Sequence, residues 1–298
     1  MKYIITLCLI CIFRFAGYSA IEVDFKLLFK RADSLFQANQ YQLAGIGYDQ
    51  IAYLSGENII KTKALLKKAD CYLAKKEFAK AEIVLSRIYY ADLNDSLIYF
   101  ARYKTALASY LNSNFGEAES QVIQAKSFIN DSGLVYQFYP LYVLILNESK
   151  KYQEAKEALL AYAKHMVKDS IEKRRIMHEI ESQYHYKKIP LLKSPEKAKN
   201  LSMFLPGTGQ LYAGYFWEGA LSVSLQLVGL GFTGLCILNK YYFTGIALGT
   251  SIFQKFHVGG MNRSEFLVNK RNHIETRSFN DKIKSYLLEN KDLMGRSK

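Results

Sequence analysis

A chain of 298 residues and 34.2 kDa, with 50% hydrophobic and 22% charged residues, can bury the core of one large domain or two ordinary ones, which excludes a disordered protein. Four prolines, and long runs of Ala, Leu, Lys, Glu, Tyr and Ile before residue 187, point to an all-α fold. The net charge of +13 is uneven: residues 191–298 carry 14 basic and 7 acidic side chains against 24 and 20 in 21–190, so the excess lies beside apolar stretches as membrane flanks do, and with no groove-reading motif beside it nucleic acid is not an expected partner.

The first segment, residues 1–20, has Lys2, an apolar run from Tyr3 to Phe13, and small residues Ala16, Gly17 and Ser19 ahead of polar sequence. This is the anatomy of a secretory signal with a cleavage site near Ser19 or Ala20; Arg14 interrupts the run, and an uncleaved anchor is the alternative. Cys71 and Cys236 then remain as packing thiols, too few for a disulfide framework or a metal site.

Residues 21–187 carry an internal repeat. An aromatic followed three positions later by alanine occurs at Tyr41/Ala44, Phe78/Ala81, Phe115/Ala118 and Tyr152/Ala155, each 37 residues after the last. Ala32, Ala69, Ala106 and Val143 precede these aromatics by nine, and Tyr48, Leu85, Val122 and Leu159 keep the same period. Leu28, Ala32, Leu35 and Phe36 share one helix face, and Ala44, Tyr48 and Ile51 share another, so each repeat is predicted to be a helix pair whose small residues let the backbones approach. Asn94-Asp95-Ser96 and Asn130-Asp131-Ser132 fall between repeats and supply caps.

These columns resemble the tetratricopeptide repeat, which has a small residue in its first helix and an aromatic, an alanine and a large apolar residue in its second. The resemblance implies an α-solenoid with repeats near 25–58, 62–95, 99–132 and 136–169, and a protein or peptide partner on its concave face. The period is 37 where the family's is 34, Val143 replaces a small residue, and Ile51, Ile88 and Tyr162 occupy a column that is usually small. Gln37, Lys68 and Tyr103, on the first helices, are the candidate partner-binding residues. Residues 169–187 are predicted to form a capping helix with a stripe of Ile171, Ile176, Ile180 and Tyr184; His178 and His185 on it match no ligand pattern, and no metal is expected.

Residues 188–200, with Pro190, Pro195 and three lysines after residue 192, are read as a linker. Charge then nearly vanishes. Residues 219–238 have the length and apolarity of a membrane span, and 241–260, which contains Lys255 and His257, is a weaker second one; the pair predicts a hydrophobic helical hairpin within a module at 201–275, followed by a basic tail at 276–298. A buried soluble helix pair is the alternative.

The stretch LPGTGQLYAG at 205–214 lacks the ending of a phosphate loop. Through Pro206, Gly207, Gly209, Gln210, Tyr212 and Gly214 it resembles the Pro-Gly-x-Gly-Gln-x-Tyr-x-Gly start of a small hydrophobic module found behind tetratricopeptide repeats in bacterial envelope proteins of unassigned activity, and Gly259-Gly260 followed by Asn269 or Asn272 resembles its close. No nucleophile, acid pair or histidine cluster suggests catalysis, and no cofactor is expected. The expectation is a non-enzymatic, membrane-tethered scaffold of the bacterial cell envelope with a periplasmic repeat domain, a protein or peptide partner and contact with membrane lipid. The alternative is a pore-forming or membrane-protein-assembly module in the glycine-rich segment.

Overall fold

The computed structural model describes residues 24–290, so the signal segment 1–20 and residues 291–298 lie outside the described residues. Among the described residues every regular element is helical. The chain divides into two compact units, 1–141 and 142–298.

In the first unit, α1 (Phe25–Gln37), α2 (Tyr41–Leu54), α3 (Asn58–Ala74), α4 (Phe78–Leu85), α5 (Asp95–Leu111), α6 (Phe115–Phe128) and α7 (Ser132–Tyr136) follow one another. From α1 to α6 each helix packs on its neighbours in the sequence, and α3 also touches α5. The core alternates small and large side chains: Ala32, Ala44, Ala69, Ala81, Ala106 and Ala118 are at most 1% exposed, beside the buried Tyr48, Ile51, Leu65 and Leu85. The alanines set the spacing; a Cβ placed on Gly47 would lie 3.1 Å from that of Ala32.

The turns are copies of one another. Asn39, Lys76, Ser113 and, in the second unit, Lys150 all take a left-handed φ of 59–64°, and the next residue's N–H donates to a carbonyl five residues back: Gln40 to Leu35, Glu77 to Tyr72, Asn114 to Ser109 and Lys151 to Leu146, at 2.8–2.9 Å. Each second helix then opens on its aromatic: Tyr41, Phe78, Phe115 and Tyr152 are the first residues of their helices. Asn94 and Asp131 cap α5 and α7 through bonds from Leu97 N and Gly133 N. The helix pattern breaks at Pro140, which has no N–H to offer Tyr136: α7 stops, and α8 (Tyr139–Glu148), within which the boundary between the units falls, starts afresh.

The second unit continues with α9 (Tyr152–Met166), α10 (Ser170–Gln183), α11 (Pro195–Phe204), α12 (Thr208–Ala213) and α13 (Phe216–Leu238). After a turn at Lys240, α14 (Tyr242–Thr244), a π turn (Gly245–Gly249) and α15 (Thr250–Glu289) run on without a break. The π turn and α15 pack against α13. Glycine makes this approach possible: a Cβ on Gly245 would sit 2.8 Å from that of Cys236, and one on Gly249 would sit 1.8 Å from Thr233 Oγ1.

Ala155 departs from the expected grouping of the alanine column. It is fully buried, as Ala44, Ala81 and Ala118 are, but it lies on α9 in the second unit and not with the other three pairs. The physical reason is on both sides of it. Pro140 interrupts the helix ahead of this pair, and the aromatic that opens α9, Tyr152, finds its partners on α15, with its hydroxyl 3.4 Å from Thr276 Oγ1 and its ring edge-on to Phe279 at 5.5 Å.

Three further expectations are corrected here. Residues 276–289 are not a tail but the end of α15, because Thr276, Phe279, Asn280, Ile283 and Tyr286 recur at helical spacing and are buried. Phe279 also stands edge-on to Tyr184 at 5.4 Å, Asn280 donates to Glu148, and Tyr286 donates to Ile176 O. The expected second span at 241–260 is no separate helix: one helix of the described residues, Phe216–Leu238, has the length and hydropathy to cross a membrane, and α15 passes Lys255 and His257 uninterrupted. In the stripe of α10, Ile176, Ile180 and Tyr184 are buried but Ile171 is 72% exposed.

Candidate functional site

Two features stand out, one in each unit. In the first unit, α1, α3 and α5 line a cleft of about 550 Å³ with Phe29, Ile59, Leu97 and Phe100 on its walls and Asp33, Lys63, Lys67, Asp70 and Lys104 among them. Its charges form a ladder with the period of the chain: Lys67 Nζ donates to Asp33 at 2.7 Å, and 37 residues on Lys104 Nζ donates to Asp70 at 2.5 Å. Tyr48 donates to the same Asp33 oxygen at 2.5 Å. Burial pushes the Asp33 carboxyl up, but the hydrogen bonds from Lys67 and Tyr48 and the Lys67 charge outweigh it and hold the group below the ordinary carboxylate range. Phe100 is 52% exposed and Ile59 43% exposed, so the cleft presents apolar surface beside neutralised charge.

Gln37, Lys68 and Tyr103 do not come together there. Gln37 is exposed and lines a smaller recess with Asp33, Phe36 and Lys67. Lys68 is drawn into an ion pair with Asp49 at 2.8 Å, its side chain only 12% exposed, and lines a different cleft with Tyr41, Tyr53 and Tyr72. Tyr103 is half-buried against Tyr99 and Phe138. The Asp33–Lys67 and Asp70–Lys104 rungs escaped the sequence reading, although both columns repeat at 37.

The second feature is the Pro-Gly stretch, where every residue of the motif has a local task. Pro206 and Gly207 are the middle of a turn closed by Thr208 N donating to Leu205 O; Gly207 takes φ +84°, and a Cβ on it would meet Gly219 O at 2.6 Å. Gly209 lies against α11 so closely that a Cβ would be 2.1 Å from Ala198 O and 2.7 Å from the Ser264 Cβ. Gln210, 1% exposed, accepts from Ser202 Oγ at 3.1 Å and donates to Gly260 O at 2.9 Å, tying the opening of the module to its Gly-Gly pair. Tyr212 accepts from Ser194 N, and its carbonyl accepts from Lys193 Nζ. Gly214, at φ +94°, leaves room for the Arg271 guanidinium, which donates to Ala213 O. Asn272 clamps both polar groups of Lys193's backbone, at 2.8 and 3.0 Å. Lys193 therefore belongs to this packed structure rather than to a loose linker.

Around that polar knot the surface is apolar. Large hydrophobic side chains of α13 are exposed along its length, from Phe216 and Trp217 to Ile237 and Leu238, and 11% of the helix's most apolar window is buried. Met203, Phe204, Leu205 and Leu211 add to the exposed surface at its foot. At about 1.5–3 kcal/mol for each large apolar side chain removed from water, such a surface favours hydrocarbon strongly over water.

Comparisons of this chain with protein-family models, with curated proteins and with solved structures return no match.

Proposed function

We propose that this chain is a membrane-tethered scaffold. Helix pairs of tetratricopeptide type stack as a short α-solenoid, their first helices hold a protein or peptide on the concave face, and the module at 201–275 fixes the assembly to a membrane of the bacterial cell envelope. The observation that carries the reading is the exposure of α13: a helix of 23 residues long enough to cross hydrocarbon, most of its apolar surface left uncovered by the other described residues. The cleft of α1, α3 and α5 supports the partner half, because it offers Phe29 and Phe100 for apolar anchors and Lys63 for an acidic group.

Alkaline carbonate extraction tests the tether: the full chain is expected in the membrane pellet, and its release to the supernatant overturns the reading. A photo-reactive residue in place of Phe100 is expected to cross-link a partner that Phe29→Ala loses while the chain stays in the pellet. Equal cross-linking from Tyr53, which lines another cleft, would overturn the assignment of the partner to the first helices.

A further inference from the structure

The module contains a groove that contacts among the described residues do not fill. It lies between α13 and α15, has a volume of about 510 Å³, and is walled by Leu221, Leu225 and Phe256, with Glu218 and Arg263 also lining it. Gly259 and Gly260 both border it, for different reasons. A Cβ on Gly260 would lie 2.8 Å from Ser222 Oγ, so a larger residue there would have to displace that hydroxyl. A Cβ on Gly259 would meet nothing within 4 Å. A glycine inside a helix weakens it relative to alanine, so the space before Gly259 is kept open at a cost that no internal contact demands. Gly231 and Gly234 also face open space but do not line this groove.

Two further observations describe the occupant. Ser222 Oγ, on the groove, is a buried hydroxyl with no hydrogen-bond partner among the described residues. Arg263 gives Nε and Nη2 to the two carboxylate oxygens of Glu218 at 2.6 and 2.7 Å, which leaves Nη1 for another acceptor. A cation on α15 and an anion in the first turn of α13, a helix with the length of a membrane span, thus stand together beside hydrocarbon walls.

We propose that the groove binds one aminophospholipid, with an acyl chain over Gly259 between Leu225 and Phe256, the ester region at the Ser222 hydroxyl, the phosphate on Arg263 and the ammonium on Glu218. A purely anionic headgroup would meet Glu218 unfavourably, whereas a phosphate beside an ammonium matches both members of the pair. This site rests on the reading of 201–275 as a membrane module.

The test uses the full chain in nanodiscs of ethanolamine, glycerol or choline phospholipid, then in mild detergent, with retained lipid counted by native mass spectrometry. One ethanolamine lipid per chain is expected. Gly259→Leu fills the groove without a clash at Cβ and should retain at least about tenfold less lipid at an unchanged or raised melting temperature. Glu218→Gln with Arg263→Gln should keep a bound lipid but lose the headgroup preference. Leu221→Trp, a change at an exposed residue of the rim, provides a second block of the groove. Retention of lipid by both blocked variants, no headgroup preference in the unaltered chain, or a dimer in place of a lipid adduct overturns the site. A chain that stays in the carbonate pellet without bound lipid loses only this site, whereas a chain released by carbonate loses the membrane reading as well.

Discussion

The helix pairs of the first unit and the glycine-rich module of the second bring helices together by opposite means. In the pairs, alanine sets the distance and large side chains fill the space beside it, as Ala32, Ala44 and Ala69 do around Tyr48 and Leu65. In the module, backbone meets backbone: Gly207 faces Gly219, Gly209 faces Ala198, and Gly249 faces Thr233, with few large side chains between. Side chains in the first unit find their partners in one another. Those of α13 find few, and the buried core around α12 is small, formed by Ala198, Ala213, Leu267 and Val268. Close helix approach without apolar filling suits helices that have no water to exclude between them.

The largest effect that would break this comparison is at Gly209. Gly209→Ala puts a Cβ within 2.1 Å of Ala198 O and 2.7 Å of the Ser264 Cβ, neither of which can swing away, and is expected to cost about 3 kcal/mol or more. Gly231→Ala, facing open space, is expected to gain up to about 1 kcal/mol through helix propensity. Thermal unfolding of both variants in one detergent measures the contrast. Equal melting temperatures would show that the glycines do not set the packing of the module.

A smaller effect sharpens the comparison at the turns. The repeats place Asn39, Lys76, Ser113 and Lys150 in left-handed geometry, where a side chain costs roughly 1–2 kcal/mol, whereas the module places Gly214 there under Arg271. Ser113→Gly is therefore expected to stabilise by up to about 1 kcal/mol, less the extra chain entropy of glycine, and Gly214→Ser to destabilise by about 2 kcal/mol. Chemical denaturation midpoints check both signs, and a loss from Ser113→Gly would mean that its side chain serves a contact of its own.

The helix pairs were legible because a period is visible in a single chain: Tyr41, Phe78, Phe115 and Tyr152 mark where each second helix begins. The same period could not show that Ala155 would fall in the second unit, because a column records spacing and not which neighbour covers it. The turn residues keep the same period but not the same chemistry, since Asn, Lys and Ser all tolerate that φ once the closing hydrogen bonds form around it, so no column announced them. In the module, the six motif residues were legible as a pattern, but their partners were not. Ser202, Gly260, Arg271 and Asn272 lie up to 79 positions from the groups they bind, and nothing periodic connects them. The end of α15 was misread for a related reason: its charges, Arg277, Asp281, Lys282 and Lys284, dominate the composition of 276–289, whereas its buried face is only every third or fourth residue.

The smallest effect concerns charge in the helix pairs. Asp33 and Asp49 are pushed up by burial and pulled down further by their cations, Lys67 for the first and Lys68 with Arg87 for the second, so both sit below the ordinary carboxylate range. A carboxyl whose folded pKa is depressed contributes stability that is complete above its unfolded value, about 3.9, and is lost as the pH falls through the folded value below it. The helix-pair unit is therefore expected to lose stability on acidification below about pH 4. The carboxylates are more than a third exposed and screened by solvent, so each pair should contribute no more than about 1 kcal/mol. Asp33→Asn with Asp49→Asn should flatten the acid limb of a stability profile measured from about pH 7 to about pH 2 and leave the profile above about pH 5 parallel to that of the unaltered chain. A limb that stays as steep would place the acid sensitivity elsewhere. In that event the Asp33–Lys67 rung would align neighbouring first helices without stabilising them, and its value would lie in shaping the cleft.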